Sequence, residues 1–295
     1  MTNTRHFLRL SFVAVAAMCF SSFAKCKEGK PKKPKRPPLE VIQTKLDSIC
    51  EEGYNLYHAE RVNWISTDSM LVHYGRESIG RNIIWQPTKD SWGVVFFDHE
   101  QKNCVFEMCY NIQNGKMMVS YDKRPIRKEE RSRLALKMLM LKNGLEKYGE
   151  QIGYDKNCGG PNFDFVRIND NIIRLYILQG TMHHNTIPFG NDYSIDFDNE
   201  GNALCFRRYH KSLLAMKTVD DSGKPVETLL HSHTPDNPYI TATDICNFLL
   251  YRGGMASTTV ISTALDGQII YHADSKRCFF FSNEALKKIS NHKNK

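Results

Sequence analysis

The stretch ETLLHSHTPDNPYITATDICNFLLY, residues 227–251, constrains this chain more than any other. Alternate side chains of an extended strand point the same way, so ETLLHSH places His231 and His233 on one side and Ser232 on the other. A loop broken by Pro235 and Pro238 follows. Thr241-Ala242-Thr243-Asp244 then has the form of a capping box ahead of the apolar residues Ile245, Phe248 and Leu249, which predicts a helix over 241–252. Gly253-Gly254 can leave that helix left-handed and end it.

This frame admits two uses. Two imidazoles on one face can converge on a single cation, neutral imidazole being the commonest metal ligand, and Asp244 offers a carboxylate at the helix start. A ligand set of two nitrogens and one oxygen leaves one tetrahedral position for water, the arrangement of a catalytic rather than a structural zinc. Such a water, with a pKa near ~7, attacks amide carbonyls. In the plainer use Asp244 only caps its helix, a contribution of about 1 kcal/mol. The histidines are then polar residues at a strand end.

Elsewhere, helical spacing marks Leu39 to about Glu60 and, most strongly, Lys128–Tyr148, where Leu134, Met138, Leu141, Leu145 and Tyr148 form one apolar stripe. Strand-like stretches are SMLVHYG, SWGVVFFDHE and NCVFEMCYNI in the first half. FDFVRI, NIIRLYILQG, DYSIDFD and NALCFRRYH follow, and TTVIST, GQIIYHA and CFFFS come after the capped helix. Asp198-Asn199-Glu200-Gly201 is a hairpin turn with glycine where positive φ is needed. Strands and helices mix without βαβ regularity, so the class is α+β, with a mixed or antiparallel sheet. The break at NCGGPN, 157–162, divides a helix-plus-strand region, 39–156, from a C-terminal domain, 157–295.

Residues 1–24 have the layout of a secretory signal: Arg5 and Arg9, an apolar run from Leu10 to Phe20, and Ser22-Phe23-Ala24 as a cleavage site. The apolar run is too short to span a membrane. The chain is expected to be secreted, periplasmic or held at the cell surface. Simple export is favoured over lipidation, because Met18 and Lys25 are poor residues to precede a lipidated Cys19 or Cys26. Of the formal net charge of +8, the leader supplies two and the Lys/Pro-rich linker at 25–38 six, leaving residues 39–295 neutral. A basic patch for nucleic acid is therefore not implied and no nucleic-acid partner is expected, while the linker can rest on an anionic surface. No C-x-x-C spacing occurs, several cysteines sit in apolar strands, and no disulfide is expected.

The full spacing His-Ser-His, seven residues, Thr, two residues, Asp resembles the signature of the JAMM/MPN metallopeptidase family, in which Ser stands where Thr241 does here. The likeness extends over about residues 160–285 in the order of elements, including the Leu265-Asp266-Gly267 turn. It implies a cytidine-deaminase-like C-terminal fold, Zn²⁺ on His231, His233 and Asp244, and a Thr241 hydroxyl helping to stabilise an oxyanion. It further implies cleavage of a peptide or isopeptide bond in a peptide or protein substrate, cell-wall peptide included.

The family also places a Glu on an upstream strand as general base, and NIIRLYILQG contains none. Glu200 and Asp196 are the substitutes proposed from the sequence, with Asp192 on the same strand face as Asp196. Glu227 shares the face of His231 but lies roughly 13 Å along the strand. Without a base, the alternative is a noncatalytic binding protein that retains the fold. The start of a calcium loop at Asp196-x-Asp198-x-Glu200 fails, because Arg207 stands where a bidentate Glu is required.

Overall fold

A computed structural model describes residues 36–75, 77 and 80–293. The leader and all but the last three residues of the Lys/Pro tract lie outside them. The first helix, α1, runs over Leu39–His73. Its buried positions Ile42, Leu46, Cys50 and Leu56 recur at helical spacing and continue through Val62, Ser66 and Met70. That continuation carries the helix through most of SMLVHYG, which the sequence had marked as a strand: Met70 is buried and Val72 is 90 % exposed, as one helix face and its opposite require.

The first sheet follows. Strands β1 (Asn82–Thr88), β2 (Ser91–Phe97), β3 (Asn103–Asn111) and β4 (Met117–Ser120) pair in order, and the two-residue β5 (Arg124–Pro125) pairs with β3. Helix α2 covers Lys128–Tyr148, opened by a box in which Glu130 accepts the Arg127 backbone N–H at 2.8 Å.

A second sheet is built from β6 (Pro161–Asn169), β7 (Ile172–Gln179), β9 (Tyr193–Phe197) and β10 (Ala203–Arg208), in the order β10-β9-β7-β6. The β9–β10 hairpin turns at Gly201, whose φ of +84° supplies the left-handed residue that turn needs. The short strands β8 (Thr186–Phe189) and β11 (Leu214–Lys217) pair with each other.

The third sheet has the order β12-β13-β14-β15, from Thr228–His233, Ser257–Ser262, Gly267–His272 and Arg277–Ser282. Helix α3, Ala242–Tyr251, links β12 to its parallel neighbour β13; the other pairs in the sheet are antiparallel. Helix α4, Asn283–Lys293, closes the described chain. The fold is α+β, and no described helix is long and apolar enough to cross a membrane.

The cores explain why the chain holds together across residue 157. Ile42, Leu46 and Cys50 of α1 join Ile245 and Phe248 of α3 and Val260, Ile269 and Tyr271 of the third sheet. Leu56, Ala59, Val62 and Met70, further along α1, join Trp92, Val94 and Phe106 of the first sheet and Tyr176 of the second. The break expected at 157 therefore falls within one compact unit, because a single helix furnishes both cores. Each fully buried Leu, Ile or Phe side chain contributes about 1.5–3 kcal/mol of apolar burial. At the α1–α3 crossing the helices meet at Gly53, where a Cβ would lie 2.8 Å from Cβ of Ile245.

Candidate metal centre

Strand β12 is the edge of its sheet, and its pleat alternates between exposed and buried positions. Leu229, His231 and His233 point inward and Leu230 and Ser232 outward. The inward face is covered by α3, which starts where Thr241 caps it. The Thr241 hydroxyl accepts the Asp244 backbone N–H at 3.1 Å, and the Asp244 carboxylate returns the favour through Oδ2, accepting the Thr241 N–H at 2.8 Å. The Thr241 hydroxyl donates to the same Oδ2, also at 2.8 Å. Both uses of Asp244 foreseen in the sequence are thus compatible. Oδ2 makes the cap, and Oδ1 is buried with no hydrogen-bond partner.

Oδ1 faces histidines. It lies 3.2 Å from Nε2 of His210 and 3.4 Å from Nε2 of His231, while Oδ2 lies 3.3 Å from Nε2 of His233. The three ring nitrogens also meet one another, His210 to His233 at 3.0 Å and His231 to His233 at 3.1 Å. For a cation bound at ~2.0–2.1 Å by nitrogen and oxygen donors, the edges of the ligand tetrahedron are about 3.3 Å. His210, His231, His233 and Asp244 therefore form a group that could hold a metal ion, each at most 8 % exposed.

Hydrogen bonds behind the cluster fix which nitrogens are free. His233 Nδ1 lies 2.7 Å from the Tyr239 carbonyl, which can only accept, so Nδ1 carries the proton and Nε2 presents its lone pair. His210 Nδ1 lies 2.9 and 3.0 Å from the two carboxylate oxygens of Asp192, with the same consequence. Asp192 also accepts a short hydrogen bond from the Thr243 hydroxyl. This is the carboxylate–histidine arrangement that orients metal ligands and raises their basicity.

Two imidazole lone pairs cannot face each other at 3.0 Å: a proton on one of the two nitrogens, or a metal ion bound by both, satisfies the contact. The charge balance favours the ion. Neutral rings beside the carboxylates of Asp192 and Asp244, 1 % and 0 % exposed, leave two negative charges in the interior. Among the described residues neither acid has a Lys or Arg partner. One proton offsets half of that charge, whereas a divalent ion offsets all of it. With protons alone, burial lowers the affinity of His210, but Asp244 and Asp192 outweigh it and push its pKa up to about 11. Burial likewise works against ionised Asp244, and His210 and His233 reverse this, holding it well below the usual carboxylate range.

His231, His233 and Asp244 are brought together, and Thr241 stands beside them with its hydroxyl committed to the cap and to Asp244. The two substitutes for a base are elsewhere. Glu200 is exposed in the β9–β10 turn, where its N–H donates to Asp198. Asp196 pairs with Arg174 at 2.5 Å and Arg207 at 2.7 Å. It lies four residues along the strand from Asp192, about 13 Å, and so faces the guanidinium groups and not the histidines.

His210 is the residue that sequence reasoning left out of the site, and Asp192, named from the sequence only as sharing a strand face with Asp196, reaches the site through His210. A signal for them existed in the hairpin register, which pairs Arg208 with Tyr193 and brings the Tyr209 N–H to the Asp192 carbonyl. No protein-family model matches this chain, and no curated protein matches it.

Proposed function

We propose that this chain is an exported zinc-dependent hydrolase whose C-terminal half is a JAMM/MPN-like domain, acting on a peptide or isopeptide bond of a peptide or protein substrate, cell-wall peptide included. The observation that carries the proposal is the buried cluster of Asp244 Oδ1, without a hydrogen-bond partner, and three Nε2 atoms at tetrahedral spacing, beside two buried carboxylates to neutralise. Nitrogen-rich donor sets of this size suit zinc and disfavour calcium and magnesium, which take oxygen.

In this reading His231, His233 and Asp244 hold the ion. Zinc bound there supplies Lewis acidity toward water or a substrate carbonyl. His210, aligned by Asp192 through Nδ1, accepts a proton at Nε2, the task for which the family uses Glu. Thr241 fixes Asp244 from behind through its hydroxyl and backbone N–H and thereby orients the carboxylate.

A second reading is favoured by one observation. His210 Nε2 is spaced from its neighbours as a ligand would be, and four protein donors close a tetrahedral shell as in structural zinc sites. The chain would then be a noncatalytic binding protein of the same fold. One variant separates the two. The purified chain should carry one zinc per molecule, and His210→Ala should keep it while losing hydrolysis of peptide substrates if His210 moves a proton. Loss of the metal in His210→Ala supports the closed site, and absence of zinc from the unaltered chain refutes both.

A further inference from the structure

Cys50 and Cys278 stand 228 positions apart in the chain and touch in the fold, with Sγ atoms at 2.8 Å. Nonbonded carbon atoms settle at ~3.5–4.0 Å, and sulfur is the larger atom. The separation is within an ångström of the ~2.05 Å of a disulfide bond. Both thiols belong to the core that covers the third sheet, Cys50 from α1 and Cys278 from β15. Two helical turns before Cys50, Gln43 Nε2 donates to the Cys278 carbonyl at 3.2 Å, so the same two elements are fastened beside the sulfurs. The remaining described cysteines have no sulfur neighbour of this kind: Cys104 donates to the Phe106 carbonyl and Cys205 to that of Phe206.

We propose that Cys50 and Cys278 form a disulfide in the working protein. The bond forms by exchange with an incoming disulfide, such as oxidised glutathione or a dithiol oxidoreductase in its oxidised form. One Cys thiolate attacks that disulfide and releases the first thiol, and the second Cys attacks the mixed disulfide and releases the other. The pair thus gives up two electrons and two protons, and the oxidant departs as two thiols. The neighbouring Cys50 sulfur, and then burial, hold the Cys278 thiol far above its ordinary value, so exchange belongs to folding, before α1 seats on the sheet.

The bridge ties α1 to β15, one edge of a sheet whose opposite edge, β12, carries His231 and His233. The loop it closes contains all four donors of the metal centre. Long loops are those in which a cross-link removes most freedom from the unfolded chain. The inference stands on the two sulfurs and needs neither zinc nor hydrolysis.

The test is to refold the reduced, denatured full chain in a mixture of oxidised and reduced glutathione, unfold it in denaturant with iodoacetamide present so that every free thiol is blocked, digest without reductant and weigh the peptides. The expected product is a peptide pair joined through Cys50 and Cys278, lighter than the sum of its halves by two hydrogens and separated by reductant. Recovery of both cysteines alkylated from the natively folded chain, or joined to other partners, overturns the proposal. Cys50→Ser should leave Cys278 alkylated. Should that variant fail to fold, the melting temperature of the unaltered chain gives a second readout: reductant should lower it by several degrees, and an unchanged value overturns the proposal as well.

Discussion

Thr241 grips a single oxygen of Asp244 twice, through its backbone N–H and its hydroxyl, each at 2.8 Å, and leaves the other oxygen to His210 and His231. A helix cap and a candidate metal ligand are thus one carboxylate, and the cap sets the direction in which Oδ1 points.

That sharing predicts an ordered set of variants. Asp244→Ala should lose the zinc and also about 1 kcal/mol of helix capping. Asp244→Asn keeps an oxygen for the Thr241 N–H but removes the charge, so it should lose most of the zinc with a smaller loss of stability. Metal content by atomic emission and urea unfolding of chelated protein would check both, and equal stability losses in the chelated variants would contradict the shared role.

Asp192 touches the centre only through His210 and Thr243. Asp192→Asn should leave the fold intact; if His210 moves a proton the variant keeps its zinc and loses hydrolysis, and if His210 closes the shell it binds zinc about 10–100-fold more weakly, the usual cost of losing a carboxylate behind a ligating histidine. Competition against a chromophoric chelator measures this directly. If Asp192→Asn binds zinc as tightly as the unaltered chain, His210 is not a ligand held by that acid.

Removal of the metal should destabilise the chain. An ion that binds the folded state alone, present at 100 times its dissociation constant, contributes about 2.7 kcal/mol. Melting with and without a chelator should therefore differ, zinc should restore the transition, and calcium should not, given the nitrogen donors.

Asp196 has a different part to play. Burial alone would raise its carboxyl pKa, but Arg174 and Arg207 more than reverse this and hold it below the ordinary value. A depressed folded-state pKa gives stability that is complete above the unfolded value of ~3.9 and lost as pH falls through the folded one. Asp196→Asn should accordingly be less stable at neutral pH and lose less on acidification below about pH 4. Its zinc content should match the unaltered chain, and a fall in zinc would return Asp196 to the metal site.

At Gly53 two effects compete. Alanine is favoured over glycine inside a helix by about 1 kcal/mol, whereas forcing a methyl into a filled contact costs about 1–3 kcal/mol. With Cβ of Ile245 only 2.8 Å from the added atom, the second should win, and Gly53→Ala should unfold at lower denaturant than the unaltered chain.

The parts of the fold legible in the sequence were those written in local patterns. The pleat of ETLLHSH, the Thr241–Asp244 box and the apolar spacing of α2 each need only a few adjacent residues, and they placed His231, His233 and Asp244 on facing elements. The hairpin register brings His210 and Asp192 together, but the meeting of His210 with His233 is a long-range contact, which no local pattern states. Asp196 misled because alternation gives a strand face and says nothing of what covers it. Arg174, its cross-strand partner, covers it here. The end of α1 was misplaced because SMLVHYG has strand-like composition, while its burial follows helical spacing from the residues before it.

The helix Leu39–His73 has two tenants, one at each end. A gene cut after Lys156 would hand the C-terminal portion a sheet stripped of Ile42, Leu46 and Cys50, and any fragment meant to stand by itself must bring that opening helix with it.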